Sequence, residues 1–402
     1  MVQDKKKEFK LRKFLSNTFI CSALHTSLIS CVLIPYFKFN NMLPLQISIL
    51  VTIKRLIRLV SDVFFGFIFD LFGAKIVFTI GRVLKLSSYI ILLLQHSFPA
   101  LCFAMVIYGF SEGTIQGKVS SFIYNNLKAN NHLSSFSKAI SMYYLVIDLH
   151  IALFSFLAGI LLKHYGYNVV IYISIITNII SIGLILKLIP NKSENNLHQF
   201  ISKSFKDILQ TLRFVVGQHN LFVYLIAMYG ILVFFAWQFG SIASMVLLDM
   251  GMTGTGIAML GSAVKICMAI GTLIPILIIK HTISLSHLSN ILFFLISIGF
   301  ISSVTYNIYL FCIFMLLCDL FYVLIEVSLE KNLENLSDNT IRGTAISLAL
   351  TFANIVAGVA NLFIGVVAQY LNYRIALFAI MFIMFLSILF LTCIVHKKSK
   401  IN

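Results

Sequence analysis

The residues able to do chemistry in this chain are the few charges that interrupt its long apolar runs. Lys54, Arg55, Arg58 and Asp62 fall in one such run, Glu112 in another and Asp148 in a third. Lys265, Asp319 and Glu326 follow in later runs. A charge at the centre of a bilayer costs roughly 2.5–3.5 kcal/mol on insertion scales, so it faces a polar cavity or a partner. A carboxylate taken out of water can pick up and release a proton, and a buried cation can hold an anionic solute or neutralise a neighbouring acid. The bland alternative is that these charges pair permanently and only fasten helices together.

Spacing refines this reading. Arg58 and Asp62 are four residues apart, close enough on a helix to pair. Arg58 precedes Asp70 by twelve residues, about 18 Å along a helix axis, too deep for its charge to reach the interface. Lys54 is expected instead to lead its charge to the outer interface, and Arg82, Lys85 and Lys118 to lead theirs to the inner one, along apolar stems. Asp319 and Glu326 are seven apart and share a helix face. The seven cysteines are scattered without a C-x-x-C pair, so neither a disulfide framework nor a zinc site is expected.

These residues must be positioned by membrane-crossing helices. The chain is 59% hydrophobic and 11% charged, against roughly 25% charged in a soluble domain. About twenty apolar residues cross a hydrocarbon core. On that measure spans fall at 14–36, 45–69, 75–95, 98–121, 138–162, 167–189, 219–240, 255–279, 283–305, 308–329, 343–368 and 374–395. The first run, 14–37, is too long for a signal-peptide core and reads as a retained span. The expectation is an all-α integral membrane protein with twelve transmembrane helices.

The net charge of +16 is distributed as membrane topology rather than as a nucleic-acid surface. Odd-numbered connections hold only Lys38, Lys163 and Arg374, whereas the termini and even-numbered connections collect the rest of the loop charge. The positive-inside rule therefore places both termini in the cytoplasm. Between the halves, 190–218 is expected to form a cytoplasmic linker. There Leu197, Phe200, Ile201, Phe205, Ile208, Leu209 and Leu212 recur at helical spacing, as in an amphipathic helix lying on the membrane.

An internal repeat supports two related halves, 1–189 and 219–402. Residues 138–170 align with 344–376 at a constant offset of 206. Ala139-Ile140-Ser141 matches Ala345-Ile346-Ser347, Gly159 matches Gly365, Tyr167 matches Tyr373, and Asp148 falls opposite Asn354. A six-plus-six duplication with a substrate site near mid-membrane is the simplest cause.

After the second span stands Gly66-Phe67-Ile68-Phe69-Asp70-Leu71-Phe72-Gly73-Ala74-Lys75. It resembles the G-x-x-x-D-[RK]-x-G-[RK]-[RK] signature of the major facilitator superfamily. Arg342-Gly343-Thr344-Ala345-Ile346-Ser347 is similar to the superfamily's R-[AG]-T-x-x-S element. Gly109-Phe110-Ser111-Glu112 and Gly117, followed by Phe122-Ile123-Tyr124-Asn125, are similar to a pattern in one of its branches. Leu71 and Ala74 replace basic residues of the signature, and the equivalent second-half loop, Lys280-His281-Thr282-Ile283, carries no aspartate.

The resemblance implies two six-helix pseudo-symmetric bundles. It makes Gly66, Asp70, Gly73, Lys75 and Arg342 parts of a conformational switch. Asp62, Glu112, Asp148, Asp319 and Glu326 become candidates for coupling to protons or other ions. His25, Arg58, Gln116, Tyr229, Trp237, Gln238, Lys265 and Tyr322 become candidate solute contacts.

The expected function is secondary active transport of a small polar solute by alternating access, coupled to protons, in the plasma or inner membrane. The expected partners are lipid, solute and protons, with no nucleic acid, no cofactor or metal, and a monomeric protein. The alternatives are a transport-derived membrane sensor without transport activity and a drug-efflux antiporter, whose Gly-Pro pattern the fifth span lacks. No hydrolase, metalloprotease or nucleotide-binding motif supports an enzyme.

Overall fold

The computed structural model describes residues 16–18, 20, 27–115, 118–129, 136–190, 220–278, 285–336 and 342–399. Every regular element among them is helical. In chain order these are α1 (Leu28–Cys31), α2 (Leu33–Phe39), α3 (Pro44–Phe72), α4 (Ala74–Leu94), α5 (Phe98–Gly113), α6 (Lys118–Ala129) and α7 (Phe136–Leu188). They continue as α8 (Asn220–Asp249), α9 (Gly254–Ile278), α10 (Leu285–Val304), α11 (Ile308–Leu336), α12 (Arg342–Tyr370) and α13 (Tyr373–Ser399). Helices suit a chain immersed in lipid because each satisfies its own backbone polar groups.

Among the described residues eight helices are long and apolar enough to cross a membrane. One of these, 142–188, contains the non-helical residue Gly166 (φ 76°, ψ −176°). It therefore comprises two helices, the fifth and sixth spans of the sequence. Pro44–Phe72 is also of spanning length, and its internal charges are what keep it out of a purely apolar set. The molecule is an all-α, multi-pass membrane protein. The expected linker helix at 190–218 lies outside the described residues apart from Pro190.

The chain forms two compact units. The first comprises 1–42, 49–194 and 253–269; the second comprises 43–48, 195–252 and 270–402. In the first unit α4 packs on α5 and α7. The amphipathic α6 buries Val119, Ile123 and Leu127, one per turn, against Phe65, Phe69, Phe78 and Tyr143. In the second unit α10 packs on α11 and α13, and α8 packs on α12. Phe300 there lies 5.3–6.2 Å from the rings of Phe378, Phe382 and Phe385, joining α10 to α13.

The repeat is visible in equivalent environments. Asp148 and its counterpart Asn354 are each 9% exposed. Gly159 and its counterpart Gly365 both stand where another helix approaches closely. A Cβ on Gly159 would meet Met259 Cγ at 3.2 Å, and one on Gly365 would meet Ser48 Cβ at 2.6 Å.

Candidate functional site

Three helices of the first unit, α3, α4 and α5, carry several charges inside apolar runs. Arg58 is fourteen residues from the start of α3 at Pro44, and Glu112 is fourteen from the start of α5 at Phe98. At 1.5 Å per residue both lie about 21 Å along their helices. Arg82 and Lys85 are twelve and nine residues from the end of α4 at Leu94, about 18 and 14 Å. All four therefore lie well away from those helix ends.

Small residues bring α3 and α5 together. Gly109 and Gly113 form a G-x-x-x-G step on α5. A Cβ on Gly109 would come within 2.7 Å of the Lys54 carbonyl oxygen, and one on Gly113 within 2.8 Å of the Asp62 nitrogen. Such a pair of glycines lets two backbones approach in lipid, where packing rather than the hydrophobic effect drives helix association. Ser61 Oγ stitches the contact, donating to the carbonyls of Arg58 (2.9 Å) and Gly109 (3.2 Å). On the other flank, Gly81 of α4 leaves the space that the Thr114 side chain occupies.

With the helices this close, the Glu112 carboxylate lies 3.6 Å from both Lys54 Nζ and Arg58 Nη1. Opposite charges about 4 Å apart attract by about 4 kcal/mol at an effective dielectric constant of 20. That is comparable with the cost of inserting the charges, so this exchange is one the fold can sustain. Lys54 Nζ also lies 5.2 Å from the centroid of the Tyr108 ring, and Lys85 Nζ lies 4.9 Å from the same centroid. Arg55 and Arg58 are one turn apart on α3, as Arg82 and Lys85 are on α4. Asn178 of α7 donates to the Arg82 carbonyl at 2.9 Å. Tyr89 of α4 hydrogen-bonds Ser27, and its ring lies 6.0 Å from that of Tyr108.

This arrangement corrects two expectations. Arg58 turns to Glu112 rather than to Asp62, because the α3–α5 approach offers it an acid at its own depth. Asp62 instead takes Lys118, whose ammonium bonds the Asp62 carboxylate and, at 2.6 Å, its carbonyl. The expectation that Arg82, Lys85 and Lys118 reach the inner interface is not met: Arg82 is wholly buried, and Lys85 and Lys118 are 2% and 6% exposed. Their spacing is the missed signal: Arg82, Lys85 and Tyr89 fall at three- and four-residue steps on one helical face, as do Lys54 and Arg58.

The expected fourth span is also interrupted. After Gly113 the backbone tightens, with Thr114 N donating to Ser111 O and Ile115 N to Glu112 O, each at 3.3 Å. Lys118 N then donates to Ile115 O at 3.1 Å as α6 begins. Glu112 thus stands one residue before the end of α5, and Lys118 opens α6.

Other candidates are distributed around these helices and the second unit. Asp148 of α7 pairs with Lys265 of α9 at 3.0 Å. On α11, Tyr322 donates to Glu326 Oε1 at 2.7 Å, and Asp319 is half-buried. Gln238 of α8 is fully buried and donates to the Ala357 carbonyl of α12 at 2.7 Å, while Tyr229 is buried on the same helix as Gln238.

Of the expected switch residues, Gly66 lies in α3 with space beside it. Gly73 links α3 to α4 at φ 83°, ψ 174°, a conformation that is essentially glycine's alone. Lys75 is half-buried in the first turn of α4, and Arg342 begins α12. The side chains of Asp70, Trp237 and Arg342, and all of His25 and Gln116, lie outside what the structure describes. Among the described residues no group of His, Cys, Asp and Glu is placed to hold a metal ion.

Comparison with known proteins defines the class. Residues 15–283 match the Major Facilitator Superfamily, and the chain belongs to that family. It is accordingly a membrane transport protein rather than an enzyme. Several solved structures share the fold. The nucleoside transporter NupG is 13% identical with a TM-score of 0.69, over 94% of this chain and 98% of that one. The POT family transporter PepTSo is 12% identical with a TM-score of 0.72, over 98% of each chain. The human organic anion transporter MFSD10 (TETRAN) is 13% identical with a TM-score of 0.67, over 95% and 99%. At such identities the likeness concerns the fold alone. No curated protein matches the sequence.

Proposed function

We propose that this transporter is a secondary active carrier that moves a small polar solute by alternating access, with protons as the coupling ion. The observation that carries this reading is Glu112, a carboxylate deep in the first unit and 3.6 Å from two cations on a neighbouring helix. A proton arriving on Glu112 would cancel its attraction for Lys54 and Arg58 and leave both groups free to engage another negative charge. Protonation and solute binding would then be linked through the same side chains. Asp319 and Glu326 on α11 are the second-unit candidates for the same task.

In this reading the two repeats, 1–189 and 219–402, are the moving bodies, and Gly73 holds the turn that the switch requires. Both termini face the cytoplasm, and the carrier works as a monomer in the plasma or inner membrane. Each charge moved contributes about 2.3 kcal/mol per 100 mV, sufficient to concentrate a metabolite. Solute uptake into proteoliposomes, with and without an imposed pH gradient, tests the proposal. Accumulation driven by the gradient and abolished by a protonophore is the expected result. Equal uptake in both conditions would remove the proton.

A further inference from the structure

We propose that Asp148 and Lys265 form a latch: their ion pair holds α9 against α7 in this conformation and opens when the carrier changes to another. The word carrier rests on the reading above, whereas the latch follows from the two helices themselves.

The first observation is the seam that the pair fastens. A Cβ on Gly159 would lie 3.4 Å from that of Ala258, and one on Gly261 would lie 4.0 Å from that of Ser155. Beyond these contacts Lys265 Nζ donates to Asp148 Oδ1 at 3.0 Å. Positions fall along α7 as they rise along α9, so the helices run antiparallel, and the ion pair closes one end of a row of small residues. Small residues let two backbones approach closely in lipid. They also leave flat faces with no long side chains to unthread when the helices part.

The second observation is where the pair stands in the chain. Residues 254–269 of α9 belong to the first unit and 270–278 to the second. Lys265 is four residues, about one turn, from the point where the chain passes between them. A movement of either unit therefore reaches α9 beside this lysine. The helix α3 is shared too, but only its first turn, 44–48, belongs to the second unit. Lys265 and Arg55 each stand eleven residues from the start of their helix, and Asn354 is the counterpart of Asp148 in the repeat. An amide replaces the acid there, so the ion pair belongs to one of the two related flanks and the fold does not require it.

The third observation is how the pair is held. Among the described residues Lys265 is the hydrogen-bond partner of the Asp148 carboxylate. The Lys265 and Asp148 side chains keep 25% and 13% of their surface exposed. A buried pair repays its desolvation through good geometry and further hydrogen bonds to the remaining lone pairs. This pair makes a single contact, so one bond decides whether that end of the seam is closed.

The test reads the seam directly and needs no solute. Ser155→Cys, in the full-length protein in membranes, places a thiol on α7 at a side chain that is 3% exposed. Its reaction with N-ethylmaleimide is followed by peptide mass spectrometry. Cys318, 1% exposed in the second unit, reports general loosening in the same samples. Labelling at position 155 should be slow with the pair intact. It should be about fivefold or more faster with Asp148→Asn or Lys265→Gln, the change that a small shift in a two-state balance produces. Lys265→Arg should keep the slow rate, and the swap Asp148→Lys with Lys265→Asp should restore part of it. Cys318 should react at one rate throughout.

An unchanged rate at position 155 in both neutral variants would overturn the latch. A variant in which Cys318 rises in step has loosened as a whole, and the milder Asp148→Glu then carries the test. A rise in step there too would overturn the latch. Uptake in proteoliposomes separates the two proposals. Release of the seam in a protein that takes up no solute would keep the latch and sink the carrier. Gradient-driven uptake with no change at position 155 would keep the carrier and sink the latch.

Discussion

The ammonium of Lys265 lies 3.0 Å from the carboxylate of Asp148, across 117 residues of sequence. The pair ties α9 to α7 within the first unit, close to where Gly159 admits Met259. Removing one partner of a buried ion pair typically costs 3–5 kcal/mol. Both side chains here retain some exposure, so Lys265→Gln or Asp148→Asn should cost about 2 kcal/mol. Melting temperatures in detergent should fall for each single variant. The swap Asp148→Lys with Lys265→Asp should recover part of the loss. No recovery would show that the two residues act separately.

Gly113 is predicted to be intolerant of any side chain. A Cβ there would lie within 2.8 Å of the Asp62 nitrogen and closer still to Ser61 Oγ. The nitrogen belongs to the helix backbone and cannot swing aside, so α3 and α5 must separate. Gly113→Val should therefore destabilise by about 1–3 kcal/mol through overpacking. It should also draw Glu112 away from Lys54 and Arg58, weakening the binding and transport assigned to them. Gly183, beside which the structure leaves open space, is the control: Gly183→Ala should leave the melting temperature unchanged or slightly raised.

Glu112→Gln separates coupling from binding. The amide keeps the shape but loses the negative charge that faces Lys54 and Arg58 at 3.6 Å. Uptake driven by a pH gradient should be lost, while exchange of solute across membranes without a gradient should persist. If gradient-driven uptake continued at the wild-type rate, the coupling role would pass to Asp319 or Glu326.

The all-helical, multi-pass character was legible because apolar runs are a local property of the sequence. Asp62, Glu112, Asp148 and Lys265 could be picked out for the same reason, as charges inside apolar runs. What the sequence concealed was partnership. Arg58 and Asp62 are adjacent on a helix face, yet each is claimed by a residue from another segment, and only the G-x-x-x-G step at Gly109 and Gly113 decides which. Arg82 and Lys85 read as side chains reaching for the inner interface because their stems are long. Their burial follows from the packing of α4 against α5 and α7, and no local pattern encodes that packing. Gly73 was recognisable from the signature, but its positive φ appears only in the folded turn.

That turn gives a prediction of its own. Gly73 N donates to Phe69 O at 2.9 Å, and the chain reverses into α4 at φ 83°, ψ 174°. A side chain in this region costs about 1–3 kcal/mol. Gly73→Ala should lower stability by about that amount and slow transport more than it weakens binding, since the turn is distant from Glu112. Equal effects on affinity and rate would count against a switch role.

Gly159 and Gly365 offer a test of the duplication itself. They are separated by 206 residues, the repeat offset, and each faces the opening turns of another helix: Thr255 and Met259 of α9 for Gly159, Leu45 and Ser48 of α3 for Gly365. Subtracting the offset from Thr255 gives position 49, so the two contacts are equivalent. They are not equally tight. The nearest atoms to a Cβ on Gly159 are Met259 Cγ at 3.2 Å, part of a flexible side chain, and the Thr255 carbonyl oxygen at 3.3 Å. On Gly365 it is Ser48 Cβ at 2.6 Å, with the Leu45 backbone at 3.1 Å. Gly159→Ala should thus cost less than Gly365→Ala, which should cost about 1–3 kcal/mol. Melting curves of the two variants decide the matter, and the reverse order would mean that the close approach of α12 to α3 is not maintained in the membrane.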